Sequence, residues 1–493
     1  MNKYWKLISN TLIFAIGTFS SKVLVFLLMP LYTSVLSEAE YGTVDLMVQV
    51  GNFLLPLVSC GIINGIIRFG LDKYYKKSDV FTTGFLTILG GFGILLVLEP
   101  LLCHISYLGD NTMMIYVFVL MSSMRSLCSQ FVRAKGYVKL YALDGILSTA
   151  TTIFFNVLYL VVLKWGINGY ILAMISADTL STLFLFYLAG LHRYLHLRGL
   201  DLRTSKEMLR YSIPLIPNSI FWWINNMASR YLIAYFLGTT ENGLFAVAYK
   251  IPTVIVLMSN IFMDAWQMSA VSDVPKKRAQ FFTRVFVCYQ ALLCTAASGL
   301  ILFSKVITKV LVADSYYISW KYIPLLLIST IFSCMSTFLG SVYMVEKKSM
   351  LNFITTGAGA VLNVLLNLFF IPIFQVNGAA FATLTSYAVV FVLRALDTHR
   401  FIPMKFHPMR LTFNVAVLLL QAFLMIFEVK GWIAWEILLT ALMLVINMGA
   451  LWSTVRQVLF KRRSLRHLLL KNTKIKKSLI CLYQNPRQMR LNL

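Results

Sequence analysis

Apolar runs of roughly twenty residues, the length a helix needs to cross the hydrocarbon of a bilayer, follow one another along most of the chain. Fourteen can be marked, near 7–33, 44–67, 81–103, 112–132, 144–163, 169–191, 211–236, 244–266, 285–304, 322–343, 353–373, 378–397, 411–428 and 433–455. Short polar connections separate them. The pattern predicts an all-α polytopic membrane protein of about fourteen transmembrane helices, or twelve if two weaker segments drop out together.

The chain also repeats itself. Leu36-Ser37-Glu38-Ala39-Glu40-Tyr41-Gly42 after the first segment resembles Leu237-Gly238-Thr239-Thr240-Glu241-Asn242-Gly243 after the seventh, at an offset of 201 residues. Gly166-Ile167-Asn168-Gly169 similarly matches Gln375-Val376-Asn377-Gly378, with Asn156 upstream of one and Asn367 upstream of the other. Two pseudo-symmetric six-helix bundles are expected, 1–191 and 211–397, joined by a basic linker at 192–210. An extra helix pair at 411–455 and a basic tail at 456–493 lie outside the repeat. Parallel repeats of this kind place a transport site between the halves.

Composition narrows the class. With 59% hydrophobic and 13% charged residues, too little polar surface exists for a soluble globule. The net charge of +25 does not signal nucleic acid, because no soluble domain is long enough to carry a basic face. With both termini placed in the cytoplasm, the outer connections hold only Lys164, Lys305, Lys309 and Lys430 among the lysines and arginines, as the positive-inside rule requires. Lys3 and Lys6 precede a run too long for a signal-peptide core, so a retained first helix is expected. In the tail, Leu459, Phe460, Leu465 and Leu468 among Lys461, Arg462, Arg463 and Arg466 suit an interfacial helix on anionic lipid, or a docking site for a partner enzyme. The cysteines and histidines show no metal spacing, and no catalytic constellation is present.

Candidate chemistry lies in the apolar segments. Lys22, Arg125, Arg230, Lys250 and Lys321 sit in or at the rim of them, with Arg68 closing the second, and no comparable set of buried carboxylates is expected to neutralise them. A cation at the bilayer centre costs roughly 2.5 to 3.5 kcal/mol even on the lenient insertion scale, so such residues face a cavity or a partner. A path for an anion follows. Asp45, Gln49, Asn52, Pro56 and Ser59 form one polar stripe; Lys250, Thr253, Asn260, Asp264 and Gln267 form its equivalent at the repeat offset. On the seventh segment Asn218, Trp222 and Asn225 share a face, with Asn226 and Arg230 beside it, while Pro214 and Pro217 predict a kink. Amides and an indole suit sugar, though interhelical hydrogen bonding would use the same residues. Asn218, Trp222, Asn225, Asn226, Gln49 and Asn52 are therefore the sugar-contact candidates. Asp178 and Asp264 are candidates for coupling to H+ or Na+, Asp178 being equally suited to pair with a cation; no other cofactor is implied.

Leu27-Leu28-Met29-Pro30-Leu31-Tyr32, Glu40-Tyr41-Gly42, Arg68-Phe69, Glu346-Lys347-Lys348, Asn363-Val364-Leu365-Leu366-Asn367, Ile371-Pro372 and the run Asn377 to Ser386 together resemble bacterial polysaccharide-repeat-unit flippases. These are the O-antigen and capsule flippases of the multidrug/oligosaccharidyl-lipid/polysaccharide exporter superfamily. The resemblance implies alternating access in the bacterial plasma membrane and transfer of an isoprenoid-pyrophosphate-linked oligosaccharide to the outer leaflet. It also implies a cationic cavity, which Lys22, Arg125, Arg230 and Lys250 fit, and work alongside a polymerase or glycosyltransferases. Three alternatives remain. A lipid II or teichoic-type precursor flippase would use the same cavity. A drug exporter of the superfamily would favour buried carboxylates, and a membrane polymerase or ligase would need a larger outer loop.

Overall fold

A computed structural model describes Phe26 and residues 28–97, 111–196, 200–272, 278–346, 348–450 and Trp452. Among these, every regular element is a helix. Lys22, with most of the first apolar segment, and the basic tail lie outside the described residues, as do the side chains of Asn226 and Asp264.

Helix α1 (Met29–Val35) closes the first segment with Pro30 in its opening turn. Ser37 then caps α2 (Glu38–Val58): its hydroxyl accepts from the Glu40 N–H, and the Glu40 carboxylate accepts from the Ser37 N–H at 2.9 Å. Glu40 of the repeated turn thus has a local structural task. The second segment breaks at Cys60 and Gly61, both left-handed, before α3 (Ile62–Leu71). Next come α4 (Lys77–Val97), α5 (Thr112–Ala134), α6 (Val138–Asn156), which widens into a π turn at Val157–Val162, and α7 (Gly166–Leu188).

The linker forms α8 (Leu202–Ser212), capped by Asp201, whose carboxylate accepts from the Arg203 and Thr204 N–H groups. The Thr204 hydroxyl, donating to it at 2.6 Å, together with these backbone bonds holds the Asp201 carboxyl below its ordinary range. At the two prolines expected to kink the seventh segment, the α-helix is interrupted. Pro214 lies in a tight 3-10 turn (Ile213–Leu215) and Pro217 in the first turn of α9 (Ile216–Leu237), where a missing N–H costs nothing.

The second half continues with α10 (Thr239–Lys250) and α11 (Pro252–Ser272), bent by 41° where Pro252 interrupts the ladder. Then follow α12 (Arg278–Leu311), a 3-10 stretch (Asp314–Tyr322), α13 (Ile323–Val345), α14 (Ser349–His399), α15 (Pro408–Ile426) and α16 (Trp432–Ala450). The segments expected at 353–373 and 378–397 both fall within α14, which kinks at Gln375. By length and composition, ten described helices can cross a membrane, or eleven with α10 and α11 as one span. The fourteen expected are not reached on that test. Part of the shortfall is that α14 counts once, and that α9, carrying its amides and Arg230, is not among the ten.

Three apolar clusters hold the helices. Ile62, Phe81, Phe131, Leu185 and Met208 join α3, α4, α5, α7 and α8. Val44, Leu54, Ile115, Phe118 and Ile171 join α2, α5 and α7. The largest cluster runs from Phe245 and Ile255 through Phe286, Ile331 and Phe338 to Leu418, and it takes in Met29 and Tyr32 of α1. Internal likeness extends to hydrogen bonds: the buried amides of Asn156 and Asn367 each donate to the carbonyl four residues earlier, at 2.7 and 2.8 Å.

Candidate functional site

The two copies of the sequence repeat meet face to face. At Gly42 an added Cβ would lie 1.9 Å from the Thr239 carbonyl oxygen, and at Gly243 one would lie 2.0 Å from that of Glu38. Only glycine allows α2 and α10 to approach so closely. The Asn242 amide donates to the Gly42 carbonyl at 2.9 Å, and the Tyr316 hydroxyl to that of Leu36 at 2.9 Å. Tyr32, Tyr41, Tyr170 and Tyr316 fill the space around this crossing, with ring centroids 4.9 to 6.4 Å apart. The crossing holds α2 and α10 in direct contact.

Further along the seam, Arg230 of α9 donates through Nη1 to Asp45 Oδ1 of α2; the residues are 4% and 7% exposed. Its guanidinium carbon stands 5.0 Å from the Tyr249 ring centroid. Gln49 donates to Asp45 at 3.5 Å and Asn52 to Gln49 at 3.2 Å, so three members of the α2 stripe form one ladder leading from Arg230. The indole N–H of Trp223 donates to the Gln49 carbonyl at 3.0 Å and the Tyr231 hydroxyl to that of Leu46 at 3.1 Å. Gln49 is buried in this seam, whereas Asn52 is exposed.

Arg125 is also paired. Its Nη1 lies 2.9 Å from Asp178 Oδ1, and its Nε donates at 3.1 Å to the Ser181 hydroxyl, which in turn donates to Asp144. Asp144, 2% exposed, was not anticipated because it stands at the first position of its apolar segment. The expectation that no buried carboxylates neutralise the intramembrane cations is therefore corrected for Arg230 and Arg125. Burying an isolated charge is costly, and packing brings each cation to a carboxylate on another helix. Lys250 is half-buried at the bend between α10 and α11, near the Tyr170 ring, and Lys321 lies near the Trp320 ring.

Away from the crossing, α9 turns its polar face to open space. Asn218, Trp222 and Asn225 line a cavity of about 400 Å³ together with Ser333, Ser336, Asn352, Thr356 and Arg394. Trp222 is 62% exposed. Asn218 also lines a second cavity of about 690 Å³, beside the linker, with Asn64, Arg68, Asp72, Tyr211 and Ser219. The i, i+4, i+7 stripe therefore lies along the chamber that holds Arg394, and its first member, Asn218, also borders the chamber that holds Arg68. Arg394 was missed by the sequence reading because it falls in the last turns of its segment and counts there with the cytoplasmic charges.

A family model described as polysaccharide biosynthesis protein matches residues 7–266. Among solved structures, the fold is similar to that of lipid II flippase MurJ in an inward closed conformation, with a TM-score of 0.66 at 14% identity over 90% of this chain and 99% of that one. An inward-facing multidrug resistance MATE family transporter of the MOP superfamily also scores 0.66 at 14% identity, over 79% and 98%. An outward-facing MATE family transporter scores 0.57 at 14% identity, over 80% and 95%. No curated protein matches.

Proposed function

The chain belongs to the polysaccharide biosynthesis protein family, and from that premise we propose that it flips isoprenoid-pyrophosphate-linked oligosaccharide repeat units from the cytoplasmic to the outer leaflet of a bacterial plasma membrane. It is a multi-pass membrane transporter, not an enzyme. One observation carries the finer reading: Asn218, Trp222 and Asn225 line one chamber with Arg394, and Asn218 also lines a second with Arg68, while α2 and α10 are in close contact at Gly42 and Gly243. Amides exchange hydrogen bonds with sugar hydroxyls and the indole offers a flat apolar face, while fixed cations substitute for water around a pyrophosphate. The end at this contact corresponds to the outer leaflet when the basic linker and both termini face the cytoplasm. O-antigen or capsule is the destination that fits this cargo, with polymerase or glycosyltransferases as neighbours and anionic lipid under the tail.

Coupling to H+ or Na+ belongs with the cluster of Arg125, Asp144, Ser181 and Asp178, in which Asp178 pairs with the guanidinium, Asp144 is linked to it through the Ser181 hydroxyl, and one further positive charge would balance the two carboxylates. Asp178→Asn is expected to remove the dependence of export on the ion gradient. Transport by that variant in proteoliposomes, measured with and without an imposed gradient, checks this, and an unchanged dependence moves coupling elsewhere, with Asp264 next in line.

A lipid II or teichoic-type precursor is the second reading. It is favoured by coverage, because the likeness to the lipid II flippase spans 90% of this chain against 79% for the inward-facing MATE transporter. Deleting the gene and extracting lipids for mass spectrometry tests both. Complete lipid-linked repeat units held on the cytoplasmic leaflet support the proposal, peptidoglycan or teichoic precursors support the second reading, and no accumulated intermediate overturns both.

A further inference from the structure

Arg394 is 6% exposed, and every group that accepts its hydrogen bonds is neutral. Its Nε–H donates to Thr355 Oγ1 at 3.0 Å, Nη1 to the Ser336 carbonyl at 2.8 Å, and Nη2 to Thr356 Oγ1 at 2.9 Å and the Asn352 carbonyl at 3.4 Å. A guanidinium has five N–H groups. Four are engaged, and the fifth, on Nη1, is left over. Asp397, one turn on, is instead engaged by Arg400 at 2.6 Å and by the Tyr343 hydroxyl at 2.7 Å.

Arg394 is the one charged residue among those lining its chamber. Space beside the free N–H exists because residue 340 is glycine: an added Cβ would stand 3.0 Å from Nη1. Two further groups on the chamber wall lack partners, Asn225 Oδ1 and Ser336 Oγ, and both residues are buried. At about 400 Å³ the chamber falls in the range of small-ligand pockets, roughly 300 to 1,000 Å³. It therefore holds one uncompensated positive charge, one free charged donor and the exposed Trp222, with the unpartnered Asn225 Oδ1 and Ser336 Oγ buried in its lining residues.

We propose that this chamber is a subsite for an acidic sugar residue, so that the cargo carries a carboxylate on its glycan in addition to its pyrophosphate. The inference rests on the flippase reading and makes its substrate class more specific. A single carboxylate matches the single charge and the one free N–H of Arg394, while ring hydroxyls meet Asn225 and Ser336 and the sugar face meets Trp222. A pyrophosphate matches less well, because it brings more than one negative charge to a chamber with one cation. In the adjoining chamber beside the linker Arg68 is exposed, with Asp72 on the same wall.

Binding to the purified full-length protein tests this, by calorimetry or saturation-transfer NMR, with methyl glucuronide, methyl glucoside and inorganic pyrophosphate as probes. The glucuronide is expected to bind about tenfold more tightly than the glucoside, the scale of one charge-assisted hydrogen bond, and excess pyrophosphate should leave it bound. Arg394→Gln should abolish the preference. Because Arg394 also ties α13 to α14, Asn225→Asp provides a second variant: it adds a carboxylate to the chamber wall, keeps the bonds of Arg394, and should equally abolish the preference. Equal affinity for the two glycosides overturns the proposal, as does displacement of glucuronide by pyrophosphate, which would assign Arg394 to the head group. The lipid accumulated in the deletion strain separates the two readings. A repeat unit with only neutral sugars sinks the acidic subsite and leaves the flippase standing, whereas absence of any lipid-linked intermediate removes the flippase itself.

Discussion

Replacing Arg230 by alanine is expected to destabilise the protein by ~3–5 kcal/mol, the usual cost of leaving one member of a buried ion pair alone. Asp45 would be left at 7% exposure with only the weak 3.5 Å bond from Gln49. Asp45→Ala should cost about as much, for the mirror reason: Arg230 would then rely on the Tyr249 ring. The double variant Asp45→Ala/Arg230→Ala removes both charges and is expected to lose far less than the two single changes together, because desolvation opposes the pair's attraction in the parent. Thermal unfolding of the four proteins in detergent completes the cycle. If the losses simply add, Arg230 and Asp45 do not act as a pair. Since the pair links α2 to α9, across the two halves, export by the double variant also reports whether this bond sets the strength of the seam.

What the sequence made legible is whatever depends on one helix at a time. The face bearing Asn218, Trp222 and Asn225 could be read because residues four and seven apart share a side of a helix, and those three do line one chamber. The repeat around Gly42 and Gly243 could also be read, but not that its two copies press against each other. Pairing of charges was illegible for a physical reason. Arg125 and Asp178 are 53 residues apart and Arg230 and Asp45 are 185 apart, so the partner of each depends on how helices are arranged. Depth was misjudged where burial comes from neighbours. Arg394 sits near the end of α14, yet Ser336 of α13 and Asn352, Thr355 and Thr356 from the start of α14 enclose its guanidinium. The prolines that open the seventh segment could be placed only coarsely, since the same residue that kinks a helix interior is accommodated in a first turn.

Valine at Gly243 is expected to stop export without unfolding the protein. Its side chain would have to occupy the place where the Glu38 carbonyl lies 2.0 Å from an added Cβ, so α2 and α10 must separate. Overpacking of this kind costs ~1–3 kcal/mol, which shifts the population of the sealed state by roughly five- to 150-fold. The same holds for Gly42→Val, whose Cβ meets the Thr239 carbonyl. Labelling measures the separation: Ala246→Cys, on the buried side of α10 one turn from Asn242, reports access of a membrane-impermeant maleimide in an otherwise cysteine-free protein. Labelling from outside the cell should be slow in the parent and fast in Gly243→Val. Gly93→Val is the control, because nothing lies within 4 Å of a Cβ there, and it should leave both labelling and export unchanged. Unaltered labelling in Gly243→Val would show that this crossing is not what closes the outer end. Accelerated labelling with loss of export would tie the twice-written Gly42 and Gly243 turn to alternating access. A transporter that cannot seal one side of its cavity cannot hold the cargo against return, whatever the chambers beyond the seam recognise.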